Sequence, residues 1–208
     1  MLQRGQSSNT NCLDCSPGYY CPPGATEQFL CPPGHYCGTK AALPTVCAAG
    51  TYNPTYEGST TGDCQPCPAG YYCKIGTTIP TKCPAGRVCG LNSQDYAATK
   101  CAPGKYAGAE SIGSTTDCRD CPKGHYCPST DAAPSVFPIP CPQGTFRSTT
   151  AGAALSDCTA CSSGRVCPYL GNQVGDDVSL PCLPGYPCPA GTKTFYEFQC
   201  PAGTYSDL

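Results

Sequence analysis

The sequence predicts small disulfide-rich repeats, strung into an extended rod of tandem cysteine-rich modules with little helix and short β-hairpins at most. Three observations carry that fold class: 22 cysteines in 208 residues, a scarcity of core-forming side chains, and one short motif recurring along the chain. Leu, Ile, Val and Phe together number 25, or 12% of the residues, and Trp is absent. That is below the level at which a single hydrophobic core normally forms. A net charge of only −2 does not fit charge-driven disorder. Crosslinks therefore stand in for burial, each contributing ~2–4 kcal/mol largely by restricting the unfolded chain.

The motif is Cys-x-x-Gly-x-Z, with Z usually Tyr. It opens at Cys15, Cys31, Cys47, Cys67, Cys83, Cys101, Cys121, Cys141, Cys161, Cys182 and Cys200. Z is Tyr20, Tyr36, Tyr52, Tyr72, Val88, Tyr106, Tyr126, Phe146, Val166, Pro187 and Tyr205 in turn. Seven openers are followed by a cysteine directly after Z, which predicts the short loops Cys15–Cys21, Cys31–Cys37, Cys67–Cys73, Cys83–Cys89, Cys121–Cys127, Cys161–Cys167 and Cys182–Cys188. Three openers close after a 16-residue loop, which predicts Cys47–Cys64, Cys101–Cys118 and Cys141–Cys158. Pro-x-Gly or similar turn chemistry bends the chain back, with Gly free to take φ > 0. A crossed pattern, Cys67 with Cys83 and Cys73 with Cys89, remains open on spacing alone. The stretch from Cys121 to Cys141 favours local closure, because it lacks a second short unit and yet keeps cysteine parity.

The chain divides into four blocks: 1–63, 64–117, a short third block 118–157, and 158–208 with a split C-terminal module. Pro and Gly, 24 of each, interrupt every window long enough for a helix. Short hairpin strands are expected in the long loops, around Thr51-Tyr52 and Thr145-Phe146. Blocks that contact mainly their neighbours give a quasi-one-dimensional array.

The run Ser59-Thr60-Thr61-Gly62-Asp63-Cys64-Gln65-Pro66-Cys67-Pro68-Ala69-Gly70-Tyr71-Tyr72-Cys73 resembles the ephrin-receptor-like cysteine-rich repeats. More distantly it is similar to modules of tumour-necrosis-factor-receptor ectodomains. The likeness covers nearly all of Cys12 to Tyr205. It implies an extracellular rod in large surface or secreted proteins and names no ligand. The short Cys-Pro-x-Gly-Tyr-Tyr-Cys units depart from the receptor pattern, in which bridges within a module interleave.

Chemistry is sparse. Cys-x2-Cys occurs at Cys12/Cys15, Cys64/Cys67, Cys118/Cys121 and Cys158/Cys161, a spacing that zinc knuckles use. The simpler reading is one bridge ending where the next begins, so no metal and no cofactor are expected. No βαβ pattern surrounds these pairs, so a thioredoxin-like site is not expected either. His35 and His125 occupy the slot before Tyr that holds Tyr19, Tyr71, Arg87 and Arg165 elsewhere, which marks them as exposed variants. Asp63, Asp117 and Asp157 precede long-loop closing cysteines and read as turn chemistry. Asp176-Asp177 reads as a solvated pair in a glycine-containing loop. No catalytic constellation emerges, so an enzyme is not expected. The recurrent Tyr at Z reads as a ring packed on its own disulfide.

Cysteine usage points to an oxidising location, secreted or at the cell surface. Met1 to Gly5 has no apolar run, which implies a leader already removed or a piece of a longer precursor. No run of about 18 apolar residues exists to span a bilayer, and the absence of basic runs argues against nucleic acid. Asn53-Pro54-Thr55 is blocked as an N-linked acceptor by its proline. With 22 Thr and 15 Ser, O-linked glycans are expected at Thr60, Thr61, Ser114, Thr115, Thr116, Ser148, Thr149 and Thr150. Cys200 opens a unit without a closing partner, and Cys12 closes one without an opener. Pairing them between copies completes the module and generates a head-to-tail filament. The expected function is an extracellular structural rod, as a subunit of a head-to-tail (glyco)protein fibril or surface filament. The alternative is a segment of a receptor-like ectodomain that binds a protein or glycan.

Overall fold

The computed structural model describes residues 12–97, 99–110, 112–130, 133–173 and 179–206. It shows tandem disulfide-rich repeats built from short antiparallel hairpins. The only helical elements among the described residues are three 3-10 turns, Thr61–Asp63, Thr115–Asp117 and Leu155–Asp157. No helix among them is long and apolar enough to cross a membrane. The chain forms two compact units, Met1–Lys82 with Gly90–Asp95, and Cys83–Cys89 with Tyr96–Leu208.

The first unit contains four hairpins. They are β1 (Tyr19–Tyr20) with β2 (Phe29–Leu30), β3 (His35–Tyr36) with β4 (Thr45–Val46), β5 (Thr51–Tyr52) with β6 (Gln65–Pro66), and β7 (Tyr71–Tyr72) with β8 (Thr81–Lys82). The second unit repeats the design with β9 (Lys105–Tyr106) and β10 (Arg119–Asp120), β11 (His125–Tyr126) and β12 (Ile139–Pro140), β13 (Thr145–Phe146) and β14 (Thr159–Ala160), and β15 (Arg165–Val166) and β16 (Leu180–Pro181). An isolated bridge, Arg87 to Lys100, holds the corresponding place in the module opened by Cys83.

One rule generates every pair. The dipeptide ending in Z pairs with the two residues just before the next opening cysteine, as in Tyr36↔Thr45 and His35↔Val46. Hairpins thus occur in short modules as well as long ones. The partner of Thr51-Tyr52 is Gln65-Pro66, outside the long loop, because it follows Cys64. The strands expected around Thr51-Tyr52 and Thr145-Phe146 are β5 and β13, each inside its long loop with its partner beyond the closing cysteine. A two-residue strand has too little surface to stand alone, so its register is set by the disulfides at its base.

The core is mostly sulfur. The described residues buried as apolar groups are sixteen cysteines plus Val88, Ala107 and Val166. The Z rings Tyr20, Tyr36, Tyr52, Tyr72, Tyr106, Tyr126 and Phe146 are half-buried. Tyr20 packs across its hairpin on Phe29 with ring centroids 5.6 Å apart.

Candidate functional site

Ten bridges are present: Cys15–Cys21, Cys31–Cys37, Cys47–Cys64, Cys67–Cys73, Cys83–Cys89, Cys101–Cys118, Cys121–Cys127, Cys141–Cys158, Cys161–Cys167 and Cys182–Cys188. Seven link residues six apart and three link residues seventeen apart. Cys12 and Cys200 are unbonded, the first exposed and the second half-buried.

Within each unit a backbone ladder ties neighbouring modules. In each repeat of it, the turn glycine donates its N–H to the carbonyl of the residue after Z in the following module. Examples are Gly18 to Cys37 at 2.8 Å, Gly104 to Cys127 at 3.0 Å and Gly164 to Cys188 at 2.8 Å. The glycine carbonyl accepts from the next opening cysteine, as in Cys47 to Gly34 at 2.8 Å and Cys141 to Gly124 at 2.8 Å. The carbonyl of an opening cysteine accepts from a residue in the left-handed region of the following module. Lys40, Glu57, Asn92 and Ala151, with φ of 61, 64, 61 and 59°, serve Cys15, Cys31, Cys67 and Cys121. Such φ values are uncommon outside glycine, and here each one turns an N–H towards a waiting carbonyl.

The position after Z is the informative one. Short modules place the closing cysteine there. Long modules place Asn53, Ala107 or Arg147 there and keep the same two backbone bonds. Gly34 donates to Asn53 O at 2.8 Å, and Asn53 N donates to Thr77 O at 3.1 Å. Gly86 donates to Ala107 O at 2.9 Å, and Gly124 to Arg147 O at 3.0 Å. The side chains then fill the missing sulfur's place in three ways. Asn53, 1% exposed, donates from Nδ2 to His35 O at 2.9 Å and accepts at Oδ1 from Thr55 N–H at 3.1 Å. Ala107 joins an apolar cluster with Val88, Cys101 and Cys118. Arg147 donates to Asp157 O at 3.1 Å and to Thr150 O at 3.0 Å. None of these three roles is legible from spacing, because the motif ends at Z.

The acidic residues before the long-loop closers cap the 3-10 turns. Asp63 Oδ2 accepts from Ser59 N–H at 2.7 Å and Thr60 N–H at 2.9 Å. Asp157 Oδ2 does the same with Ala153 at 2.7 Å and Ala154 at 3.1 Å, and Asp117 accepts from Gly113 and Ser114. The hydrogen bond from Thr60 N–H, then that from Ser59, holds the Asp63 carboxyl below its ordinary range. The bonds from Ala153 and Ala154 lower that of Asp157, and the nearby Arg147 adds to them. Glu197 repeats the device, with Oε2 accepting from Lys193 N–H at 2.7 Å. The signal for Glu197 is its carboxylate four residues after the residue whose N–H it holds, the spacing of Asp63 to Ser59.

His35 and His125 each place Nδ1 against the carbonyl two residues back, Pro33 at 3.0 Å and Lys123 at 2.9 Å. Three of the four Cys-x2-Cys pairs have both cysteines bonded to other partners, and in the fourth Cys15 bonds Cys21. Among the described residues no group of three His, Cys, Asp or Glu is placed to hold a metal ion. Asp176-Asp177 lies outside the described residues. Thr60, Thr61, Ser114, Thr115, Thr116, Ser148, Thr149 and Thr150 are all exposed. An open groove of about 610 Å³ in the second unit is lined by Tyr106, Ile112, Arg119 and Phe137.

The architecture defines a class, tandem small disulfide-rich repeats stacked through backbone hydrogen bonds. No family model matches this chain, and no curated protein matches it either.

Proposed function

We propose that this chain is a non-catalytic extracellular structural rod, a subunit of a head-to-tail (glyco)protein fibril or surface filament. The observation that carries this reading is the module ladder. Within each unit the turn glycine of a module reaches a backbone acceptor in the module that follows, as Gly18 reaches Cys37 and Gly104 reaches Cys127. Serial dependence of that kind suits a spacer or filament element. Ten bridges call for an oxidising environment, which fits a location outside the cell. The exposed hydroxyls from Thr60 to Thr150 offer attachment points for O-linked glycans. Small-angle scattering of the oxidised chain tests the reading. A constant narrow cross-section with a long maximum dimension is expected, and a compact particle would overturn it. Intact mass of the native protein tests the glycans, since the bare polypeptide mass less bridge hydrogens would exclude them.

A receptor-like ectodomain segment is the second reading. The groove beside Phe137 favours it, because that ring is 70% exposed next to Tyr106 and Ile112. Exposed aromatic and aliphatic groups in one groove are the material of protein or glycan recognition. Retained binding to a surface partner after Phe137→Ser would count against this groove.

A further inference from the structure

We propose that the open groove of the second unit binds an acidic sugar, with a pyranose ring stacked on Phe137 and its carboxylate held by Arg119. The inference rests on the second reading, in which this groove is a recognition surface, and supplies the chemistry of its ligand.

The groove lies where the repeat plan of the second unit is broken. At Cys121 and Cys141 the opener's carbonyl accepts from a backbone N–H, that of Ala151 at 2.7 Å and that of Gly171 at 2.9 Å. At Cys101 the hydroxyl of Ser129 donates instead, at 2.6 Å. Ser135 Oγ donates to Pro128 O at 2.9 Å, and both serines are buried. Pro134 and Val136 stand over Gly86, their Cβ and Cγ2 at 3.0 and 3.3 Å from where a Cβ on that glycine would sit. Contacts at both serines and both apolar residues tie down the approach to Phe137, whose own ring is left in solvent. A ring positioned in advance loses less entropy when a ligand lands on it, and departures from a repeating scaffold are where binding residues tend to sit.

The hairpin of β9 and β10 supplies the opposite wall. Tyr106 and Arg119 are register partners, so their side chains are cross-strand neighbours on one face. Lys105 and Asp120 form the adjacent pair, on the other face, and neutralise each other in an ion pair. Arg119 is exposed and has no ion-pair or hydrogen-bond partner for its guanidinium among the described residues. Asp117 also lines the groove, but its Oδ2 is taken by the N–H groups of Gly113 and Ser114 at 3.2 and 2.9 Å. Gly108 lets the two walls approach: a Cβ there would lie 3.4 Å from Val136 O and 3.8 Å from the Phe137 ring.

These groups fit one ligand chemistry. The volume of about 610 Å³ is that of a small-molecule site. A protein partner would ask for a contiguous apolar patch of several hundred Å², whereas here a single exposed ring is bordered by a guanidinium, a carboxylate and a phenol. A pyranose has the matching pattern, apolar C–H faces and polar edges. Its C–H face packs on the electron-rich face of Phe137. A planar guanidinium receives a carboxylate through two parallel N–H bonds, so the uncompensated charge of Arg119 selects a sugar acid over its neutral counterpart. The Tyr106 hydroxyl and the second oxygen of Asp117 remain for the ring hydroxyls.

Calorimetry of the full oxidised chain with short oligomers of galacturonic or glucuronic acid, against their methyl esters, tests the site. At least one acid should bind saturably, with its ester at least about tenfold weaker, because the ester removes the anion and keeps the ring. Arg119→Gln should bring the acid down to the level of the ester. Phe137→Ser should weaken acid and ester alike, at least about tenfold. Lys74→Gln, an exposed cation in the other unit, should change neither. All three side chains are exposed, so each variant should keep the ten bridges by mass mapping. Absence of binding by both acids, equal affinity for acid and ester, or equal losses in Arg119→Gln and Lys74→Gln would each overturn the proposal. A protein or neutral glycan that binds in place of the acids and is lost on Phe137→Ser would sink this inference and leave the second reading standing. Partner binding that survives Phe137→Ser would sink both.

Discussion

Two kinds of module share one backbone plan and differ in where the opening cysteine finds its partner. In Cys31–Cys37 the bridge closes six residues on, at the position after Z. In Cys47–Cys64 it closes seventeen residues on, beyond an acid-capped 3-10 turn, and Asn53 occupies the position after Z. The ladder bonds at that position are the same: Gly18 to Cys37 O at 2.8 Å and Gly34 to Asn53 O at 2.8 Å. The comparison separates the two functions of a cysteine here. The carbonyl and N–H of its slot belong to the ladder and are supplied alike by Cys, Asn, Ala and Arg, whereas the sulfur is a movable crosslink. A long module therefore costs an extra internal device, a buried amide, methyl or guanidinium, to fill the place the sulfur leaves.

The largest expected effect comes from removing each type of bridge. Cys47→Ser with Cys64→Ser should cost about 3 kcal/mol, and Cys31→Ser with Cys37→Ser about 2 kcal/mol, from the longer loop released in the first case. Native-state hydrogen exchange of the affected modules measures both locally, because an array of this kind need not unfold in one step. Equal losses would show that loop length is not what distinguishes the two kinds.

Asn53→Ala comes next. It strips the amide from a buried site and leaves His35 C=O without that donor, for an expected loss of about 1–3 kcal/mol. Exchange at the amides around His35 and Thr55 should report it, while the module of Cys67–Cys73 stays protected.

A smaller effect is expected from acid, confined to the long modules. The carboxyls of Asp63 and Asp157 are held below their ordinary value in the fold, so what they contribute is fully present above the unfolded value of about 4. It is lost as the pH falls further, through their lowered folded values. Amide exchange at Ser59, Thr60, Ala153 and Ala154, corrected for intrinsic rate, should accelerate below about pH 4. The amides of the short loop Cys31–Cys37 should not respond, and uniform acceleration in both kinds of module would break the comparison.

The smallest effect should come from converting one kind into the other. Asn53→Cys combined with Cys64→Ser offers Cys47 a partner six residues away in the slot that cysteine holds elsewhere. Peptide mapping should find Cys47 joined to the introduced thiol, with stability within about 1 kcal/mol of the parent once the shorter loop is allowed for. Failure of that bridge to form would show that the Asn53 slot differs from the Cys37 slot in more than its side chain.

Much of the repeat plan is legible before any coordinates. Openers, Z residues and the two loop lengths follow from cysteine spacing, because a loop closed by a bridge leaves both its ends in the sequence. The strands around Thr51-Tyr52 and Thr145-Phe146 are legible as well. Their partners are not, since pairing joins the end of one motif to the approach of the next. Asn53 and Arg147 carry no local signal for the closing-cysteine slot. Lys40, Glu57 and Ala151 carry none for the left-handed region, where sequence habit favours glycine.

Composition and cysteine spacing already specify the material of the protein: sulfur in place of a hydrophobic core, turns in place of helices, and modules repeated by a fixed opening. Those features are local, written in composition and spacing. How neighbouring modules within a unit hold one another emerges on folding, since it depends on backbone N–H and C=O groups rather than on side chains. A carbonyl on Cys15 meets the N–H of Lys40 at 3.0 Å because the chain between them is pinned by two bridges. Side-chain identity says nothing of such a bond, and so the ladder shows itself only when the chain is folded.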